Sequence, residues 1–211
     1  MSKQHQGHLK DTSSTILQSA LSVMAEDGVG NLTTKAVSQD AQVSTASIHY
    51  FFDTKQKLIY EAFVYVVQSV RRRTIAIRKS QSDPKMRIRK MVELHFSARQ
   101  TSTNALSVWS QFWVHAAADE KTGRLFKLYS ARLISNFTAD CVALGLDREA
   151  ARLKAITICG LIHGLWLEQH LGNVVSAEDT NAIFEQFLAR STSKRGPTSS
   201  QTISCNLGQK A

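Results

Sequence analysis

The chain has 211 residues, which is enough for a sizeable hydrophobic core that needs neither disulfides nor metals. Only two prolines interrupt it, and residues that favour helices are abundant, so composition predicts an all-α protein. The net charge of +9 is concentrated in residues 61–100, where ten Lys and Arg stand against three Asp and Glu. Such a run can attract phosphate but is more often a solvated helix face, so charge alone does not identify a nucleic-acid binder.

Several functional classes are disfavoured by the sequence. Three widely spaced cysteines predict reduced thiols and exclude a CxxC redox site or a zinc ribbon. The histidines lack close partners at metal-ligand spacing, so we expect no metal and no other cofactor. The polar N-terminus has no signal core, and no run of about eighteen apolar residues predicts a membrane span. We therefore expect a soluble, cytoplasmic protein without a membrane partner.

The first 80 residues predict four helices. Apolar residues at helical spacing form a first helix that ends at Gly28, and a second, short helix ends by Asp40. After a tight turn, Ser44 is the expected N-cap of a third helix that runs to about Phe52. A long fourth helix is predicted over 54–79. Two short helices joined by a tight turn predict a helix-turn-helix domain over residues 9–55, which the long helix links to the remainder.

The second half predicts a further helical domain over residues 83–190. Asp83 followed by Pro84 is a strong helix start, because proline at the first helical position gives up an amide that would lack a partner anyway. The helix that begins here is predicted to end near Phe96, and the next covers residues 105–118. A long helix then ends before Gly145, and two more begin after Asp147 and after Ser176. Residues 191–211 are too polar to fold and are predicted to be a disordered tail.

The string TTKAVSQDAQVSTASIHYFFDTKQKLIYEAF resembles the signature of the TetR family of transcriptional regulators. In that family a second helix, a turn, a recognition helix ending in aromatics and a lysine opening the fourth helix occur in this order. The resemblance implies that one group of residues contacts DNA: Lys35, Ser44, Thr45, Ala46, Ser47, His49, Tyr50 and Lys55. The chemistry agrees, because hydroxyls and imidazole bond base edges, whereas helix amides and lysines hold phosphate.

Three residues depart from the TetR pattern. Gln42 replaces the usual turn glycine, Phe51 lacks the hydroxyl of a common tyrosine, and Asp53 adds negative charge. Residues 1–60 hold five Lys and Arg and five Asp and Glu, so no strong basic field supports this segment. We therefore expect a modest affinity for DNA.

The stretches SVWSQFWVHAAADEKTGRLFKLYSARLISNF and CGLIHGLWLEQHLG are similar to the ligand domain of BetI-type repressors, which respond to choline or betaine-pathway compounds. The resemblance implies a small-molecule inducer, choline-like in chemistry, and aromatic faces attract quaternary ammonium groups. The candidate ligand residues all carry rings: Trp109, Phe112, Trp113, Tyr129, Phe137 and Trp166. Asp140 or Glu168 are candidates to supply a carboxylate. The same aromatic spacing is also typical of a buried core, so pocket and core both remain open.

The last two helices carry more apolar surface than one neighbour can cover, which predicts a homodimer. The candidate interface residues are apolar: Ile158, Leu161, Leu165, Ile183, Phe184 and Phe187. A dimer would read two half-sites of double-stranded operator DNA. The prediction is therefore a transcriptional repressor that a small-molecule inducer releases from DNA.

Two other interpretations remain. The first is a TetR-like repressor or activator that senses an apolar or drug-like molecule. The second and more remote one is a helical enzyme or a scaffold without DNA binding. No nucleophile with a base, no paired acids and no phosphate-cradling loop stand out in the sequence, so we expect that the protein is not an enzyme.

Overall fold

The structure is a computed structural model that describes residues 3–96, 103–171 and 175–189. The predicted tail over 191–211 lies outside the described residues. Within the described ranges the chain forms nine α-helices and no strands, which confirms the all-α prediction. They are α1 (Lys3–Asp27), α2 (Thr34–Asp40), α3 (Thr45–Phe51), α4 (Lys55–Ser80), α5 (Pro84–His95), α6 (Thr103–Ala118), α7 (Glu120–Ala143), α8 (Arg148–His170) and α9 (Ala177–Ala189).

Side-chain caps fix the starts of the helices. The Ser44 hydroxyl accepts from the Ser47 amide at 3.0 Å, and Asp83 accepts from the amides of Lys85 and Met86. Asp147 accepts from the Ala150 amide at 2.9 Å. Each cap satisfies an amide that has no partner inside its own helix, so local sequence decides where the helix begins.

The chain divides into two compact units, residues 1–176 and 177–211. In the first, α1 packs on α2 and α4, and α2 packs on α3. Helices α4, α5 and α7 contact one another, α6 and α8 pack on α7, and α6 also packs on α1. In the second unit, Thr180, Phe184 and Leu188 of α9 recur every four residues and are buried. A boundary at residue 83, between α4 and α5, stays a prediction.

A buried carboxylate ties three helices of the first unit together. Asp140 of α7 is fully buried and accepts from Arg78 Nη1 of α4 and Arg87 Nε of α5, both at 2.7 Å. Arg87 also donates to the main-chain oxygens of Gln81 and Ser82 in the α4–α5 connection. Because both oxygens of Asp140 are engaged, this carboxylate is not available to a cationic ligand, which corrects one of the two candidates named above.

Helix α8 contains a long apolar stretch. An 18-residue stretch within the segment from Arg148 to Glu168 has a mean hydropathy of 1.3, so by length and composition alone this segment could cross a membrane. The expectation that no stretch meets this requirement is therefore wrong for α8, because scattered charges near the helix start do not lower its mean hydropathy enough. Core helices of soluble proteins have the same composition, and Ile158, Ile162 and Trp166 are buried within the fold.

Candidate nucleic-acid interface and ligand cavity

The segment that resembles a DNA-reading head has the backbone of a helix-turn-helix. Helices α2 and α3 are joined by residues 41–44, and α3 is held to the core by Ile48, which is buried, and by Phe52, which follows its last turn. The amide of Val43 donates to the Ser38 carbonyl at 3.0 Å, which closes the turn. The order of short helix, turn and short helix is therefore present as predicted.

The exposed face of α3 carries most of the side chains predicted to contact DNA. Thr45, Ala46, His49 and Tyr50 are exposed, and Tyr50 keeps 69% of its surface accessible. Ser44 and Ser47 are engaged locally, since their hydroxyls lie 2.8 Å apart and the Ser44 hydroxyl caps the helix. The first and last turns of α3 thus present two polar side chains, one methyl group and one phenol to solvent.

The two predicted lysines differ in their surroundings. Lys35 is exposed on α2. Lys55, at the start of α4, donates from Nζ to the Gly30 carbonyl at 2.8 Å and so anchors the α1–α2 connection. An ammonium group has three donors, so this bond leaves two for a phosphate. Nearby, Asp53 pairs with Lys57 at 2.6 Å, and this hydrogen bond lowers the pKa of the Asp53 carboxyl.

Gln42 adopts the conformation that the usual turn glycine would supply. Its φ is +54°, in the left-handed region, and it is the one non-glycine residue with positive φ in the described part of the chain. A side chain at such a φ costs roughly 1 kcal/mol relative to glycine. The turn therefore keeps its shape despite the substitution, because the bonds and packing around it fix the backbone.

Four of the six predicted ligand residues surround one small cavity, here called the aromatic cavity. The Trp109 ring lies 5.2 Å from Tyr129 and 6.1 Å from Trp166, and Trp113 lies 6.1 Å from Trp166, measured between ring centroids. The volume of the cavity is about 20 Å³. This is room for about one water molecule and much too little for a small amine, so the rings are closely packed in this structure.

The other two predicted ligand residues lie outside the aromatic cavity. Phe112 is fully buried and stacks on Phe63 of α4, with 4.7 Å between the centroids. Phe137 is also fully buried, and it follows Tyr129 by more than two turns along α7. Neither is among the residues that line the cavity. The six residues share an aromatic ring, but the location of each ring depends on the position of the residue along and around its helix.

Two histidines complete the wall of the aromatic cavity, and sequence reasoning assigned them no part in it. His95 is fully buried and its Nδ1 lies 2.7 Å from the Met91 carbonyl, which can only accept, so Nδ1 carries the proton. Its Nε2 faces the Tyr129 hydroxyl at 3.4 Å. Burial lowers the pKa of His95 to about 4, and burial also lowers the pKa of His163. Both imidazoles are therefore neutral at pH 7.

Two polar atoms at the aromatic cavity lack hydrogen bonds. Trp113 Nε1 and His163 Nε2 are buried and have no partner within the part of the chain that the structure describes. By contrast, Trp166 Nε1 donates to the His95 carbonyl at 2.9 Å. Unpaired buried donors and acceptors are rare because each costs about 1–3 kcal/mol. The described residues contain no group of three His, Cys, Asp or Glu that could hold a metal.

Helix α6 connects the aromatic cavity to the N-terminal helices. Trp109 and Trp113 line the cavity, whereas Gln111 lies between them in sequence and points to the end of α1. The Gln111 amide donates to the Met24 carbonyl and accepts from the Val29 amide, and the Ser107 hydroxyl donates to the Ala25 carbonyl at 2.9 Å. A displacement of α6 would therefore also move the end of α1 and the connection that leads into α2, the first helix of the helix-turn-helix.

The predicted interface residues divide between the interior and the surface. Ile158 is fully buried in the single chain and Leu165 nearly so, while Leu161 is half-buried. On α9, Phe184 is buried, Phe187 is half-buried and Ile183 is exposed. The outward residues of α8 form a different stripe, here called the α8 face: Leu153, Ile156, Thr157, Gly160, Gly164 and Leu167. The assignment of Ile158 to a surface contact is therefore wrong, because this side chain points inward.

Comparison with known proteins agrees with this architecture. A family model described as bacterial regulatory proteins of the tetR family matches residues 16–62, and one described as BetI-type transcriptional repressor, C-terminal, matches residues 84–193. The HTH-type transcriptional regulator BetI of Agrobacterium fabrum is 31% identical over 156 residues, which are 74% of this chain and 75% of the relative.

The chain belongs to the TetR family, with a BetI-type C-terminal half.

A second relative is similar in sequence, and two solved structures are similar in fold. The BetI regulator of Brucella suis strain ATCC 23445 is 27% identical over 179 residues, 82% of this chain and 88% of the relative. The crystal structure of a transcriptional regulator from Saccharomonospora viridis in complex with choline has a TM-score of 0.75 at 22% identity, over 85% of this chain and 96% of that one. A TetR regulator from Haloarcula marismortui has a TM-score of 0.75 at 17% identity, over 86% and 98%. TetR proteins of this type are transcriptional regulators, not enzymes.

Proposed function

We propose that this TetR-family protein is a cytoplasmic repressor that binds palindromic operator DNA as a homodimer and is released by a small-molecule inducer. The observation that carries the proposal is the outward face of α3, where Thr45, Ala46, His49 and Tyr50 are exposed while Ile48 and the following Phe52 anchor the helix from its inner side. A helix held on one side and exposed on the other can enter a major groove. Hydroxyl and imidazole groups then bond base edges, and the Ala46 methyl fits against thymine.

Changing the recognition residues should separate sequence reading from general affinity. His49→Ala removes a group that bonds a base edge, so we expect the preferred operator sequence to change. The free energy by which the protein discriminates between bases at one position should fall by about 1–3 kcal/mol. Lys35→Ala removes a charge near phosphate, so binding should weaken equally on all sequences and depend less on salt. The measurement is selection of bound DNA from a random pool, followed by titrations at several salt concentrations.

Gln56→Ala is the matched control, because Gln56 is exposed on α4 but outside the proposed contacts. It should bind DNA as the parent does. If His49→Ala and Lys35→Ala also retain both the sequence preference and the affinity of the parent, α3 is not the recognition helix.

The α8 face supports the homodimer. Apart from Ile156, its residues recur at alternating steps of four and three, the spacing of a helix–helix seam, and Gly160 and Gly164 would let a second helix approach closely. Its exposed leucines, Leu153 and Leu167, would lose water contact in a dimer. The dimer contact thus falls beside the predicted Leu161 rather than at Ile158.

A charged residue in the α8 face, as in Leu167→Glu, should separate the dimer and so halve the particle mass measured by light scattering. Leu128→Glu, at an exposed position on α7, should leave the mass unchanged.

For the inducer, the aromatic cavity supports an amine that carries a hydroxyl group. The faces of Trp109, Trp113, Tyr129 and Trp166 can surround a quaternary ammonium group. A hydroxyl on the ligand would accept from Trp113 Nε1 and pair with His163 Nε2, the two polar atoms that lack partners within the described ranges. Because the cavity has a volume of only about 20 Å³, such a ligand favours a conformation in which α6 has moved. Through Gln111, that shift reaches α1 and lowers the population able to bind DNA.

Titration with choline should quench tryptophan fluorescence and saturate, because three indoles line the cavity. Betaine aldehyde and tetramethylammonium serve as comparisons, since the second has the charge but no hydroxyl. His163→Phe should weaken choline by roughly tenfold while leaving tetramethylammonium unchanged. Gln111→Leu should keep choline binding but lose the release from DNA. If none of these amines changes the fluorescence, a quaternary amine is not the inducer.

A further inference from the structure

We propose that a groove between α4 and α7 binds an amphipathic carboxylate, a molecule with an apolar body and one carboxylate group. The groove has a volume of about 330 Å³, at the lower end of the range for small-molecule sites. It is more than ten times larger than the aromatic cavity. The proposal concerns ligand binding only, and it does not depend on the proposed DNA binding.

The walls of the groove are mainly apolar. Val67, Val70 and Ile75 come from α4, and Leu133 comes from α7. They recur at helical spacing along the facing sides of two helices that contact each other. An apolar ligand body placed here would remove these side chains from water, at about 25 cal/mol for each Å² buried.

The polar part of the groove is basic. Arg71 and Arg78 of α4 and Arg132 of α7 line it, and its lining contains no acidic residue. Arg78 is paired with Asp140, but that one carboxylate also serves Arg87. Arg71 and Arg132 are exposed and form no ion pair within the described part of the chain. Two guanidinium groups, one on each side of the groove, are thus left to bind an anion.

The combination of walls and charges identifies the class of ligand. A guanidinium group binds a carboxylate through two parallel hydrogen bonds, and Ser135 and Asn136 of α7, which also line the groove, add polar atoms. Inorganic phosphate would use the arginines but leave the apolar walls unoccupied. A neutral apolar molecule would use the walls but leave both arginines without a partner. An amphipathic carboxylate uses both.

Octanoate is a suitable probe, with binding measured by isothermal titration calorimetry on the full chain. We expect one octanoate per chain. Arg132→Gln and Arg71→Gln should each raise the Kd by about fivefold or more, because each removes a charge-assisted hydrogen bond. Arg72→Gln is the matched control: Arg72 is the next residue on α4 but lies 6.0 Å from the Tyr65 ring and does not line the groove. Its Kd should match that of the parent.

A second set of measurements tests the apolar half of the proposal. Octanol has the same chain without the charge and should bind about tenfold more weakly or not at all. Val67→Trp, which fills the groove but leaves the arginines in place, should abolish octanoate binding. Thermal melts of Arg71→Gln and Arg132→Gln should match the parent, since both side chains are exposed. No heat with octanoate, equal binding of octanol, or an unchanged Kd in both arginine variants would overturn the proposal.

Discussion

Asp140→Ala is expected to lower the free energy of unfolding by about 3 kcal/mol, the largest effect of a single substitution that we predict. The carboxylate is fully buried and is shared by Arg78 and Arg87, whose side chains are 30% and 16% exposed. Its removal leaves two partly buried guanidinium groups without a counter-charge. Because α4, α5 and α7 meet at this carboxylate, the loss destabilises their packing as a unit. Chemical denaturation followed by circular dichroism measures the effect.

Two further variants show whether charge or packing is responsible. Asp140→Asn keeps the size of the side chain and one acceptor oxygen but removes the charge, so its effect should be intermediate. Glu120→Ala breaks the exposed ion pair with Arg124 and should have no measurable effect, because water replaces such contacts at little cost. A loss in Asp140→Ala as small as that in Glu120→Ala would contradict the role given to this network.

Acid should destabilise the protein through His95. Burial lowers the pKa of this imidazole from 6.5 to about 4 in the folded state, whereas the unfolded chain keeps the ordinary value. Between these two pH values the unfolded state binds a proton that the folded state does not. The contribution of neutral His95 to the free energy of unfolding is therefore fully present above pH 6.5. It is lost as the pH falls to 4, which lowers the free energy of unfolding by about 3 kcal/mol. His163, whose pKa is also lowered by burial, changes stability in the same direction.

The comparison with His95→Phe isolates this contribution from that of the carboxyl groups. The variant has no proton to bind at this position, so its free energy of unfolding should depend less steeply on pH between 6.5 and 4. The hydrogen bond from Trp166 reaches the His95 main-chain oxygen and survives the change. Gln56→Ala, an exposed substitution on α4 that removes no titratable group, should keep the parent's pH dependence. Equal slopes for His95→Phe and the parent would show that His95 does not titrate as proposed.

Helix α8 shows that helical periodicity predicts a helix but not the contacts of each of its faces. The sequence correctly predicts a helix that begins after Asp147 and is apolar on more than one side. It does not say which apolar side packs on α7 and which faces solvent, because both satisfy the same spacing. Ile158 was assigned outward and lies inward, while Leu153 and Leu167 form the exposed stripe. The partner of a helix face is set by residues far away in the chain.

The aromatic and charged residues also show that the sequence does not indicate which distant residues come into contact. Trp109, Trp113, Tyr129 and Trp166 come from three helices and meet at one cavity, whereas Phe112 and Phe137 occupy separate places in the core. His95 and His163 join the cavity wall, although their sequence neighbourhoods give no sign of it beyond the position of His95 on a buried face. Asp140 meets arginines that lie 62 and 53 residues earlier. Residue type suggests what such groups could bind but not which of them meet.

The helices, their caps, the helix-turn-helix and the family follow from the order of amino acids alone, because they depend on local hydrogen bonds, on spacing along one helix and on a motif that is continuous in the chain. Three features depend on the packed fold: the aromatic cavity is very small, Asp140 is committed to two arginines, and a basic groove runs between α4 and α7. Each of these depends on how helices distant in sequence pack, and packing is decided by the shape and charge of whole faces.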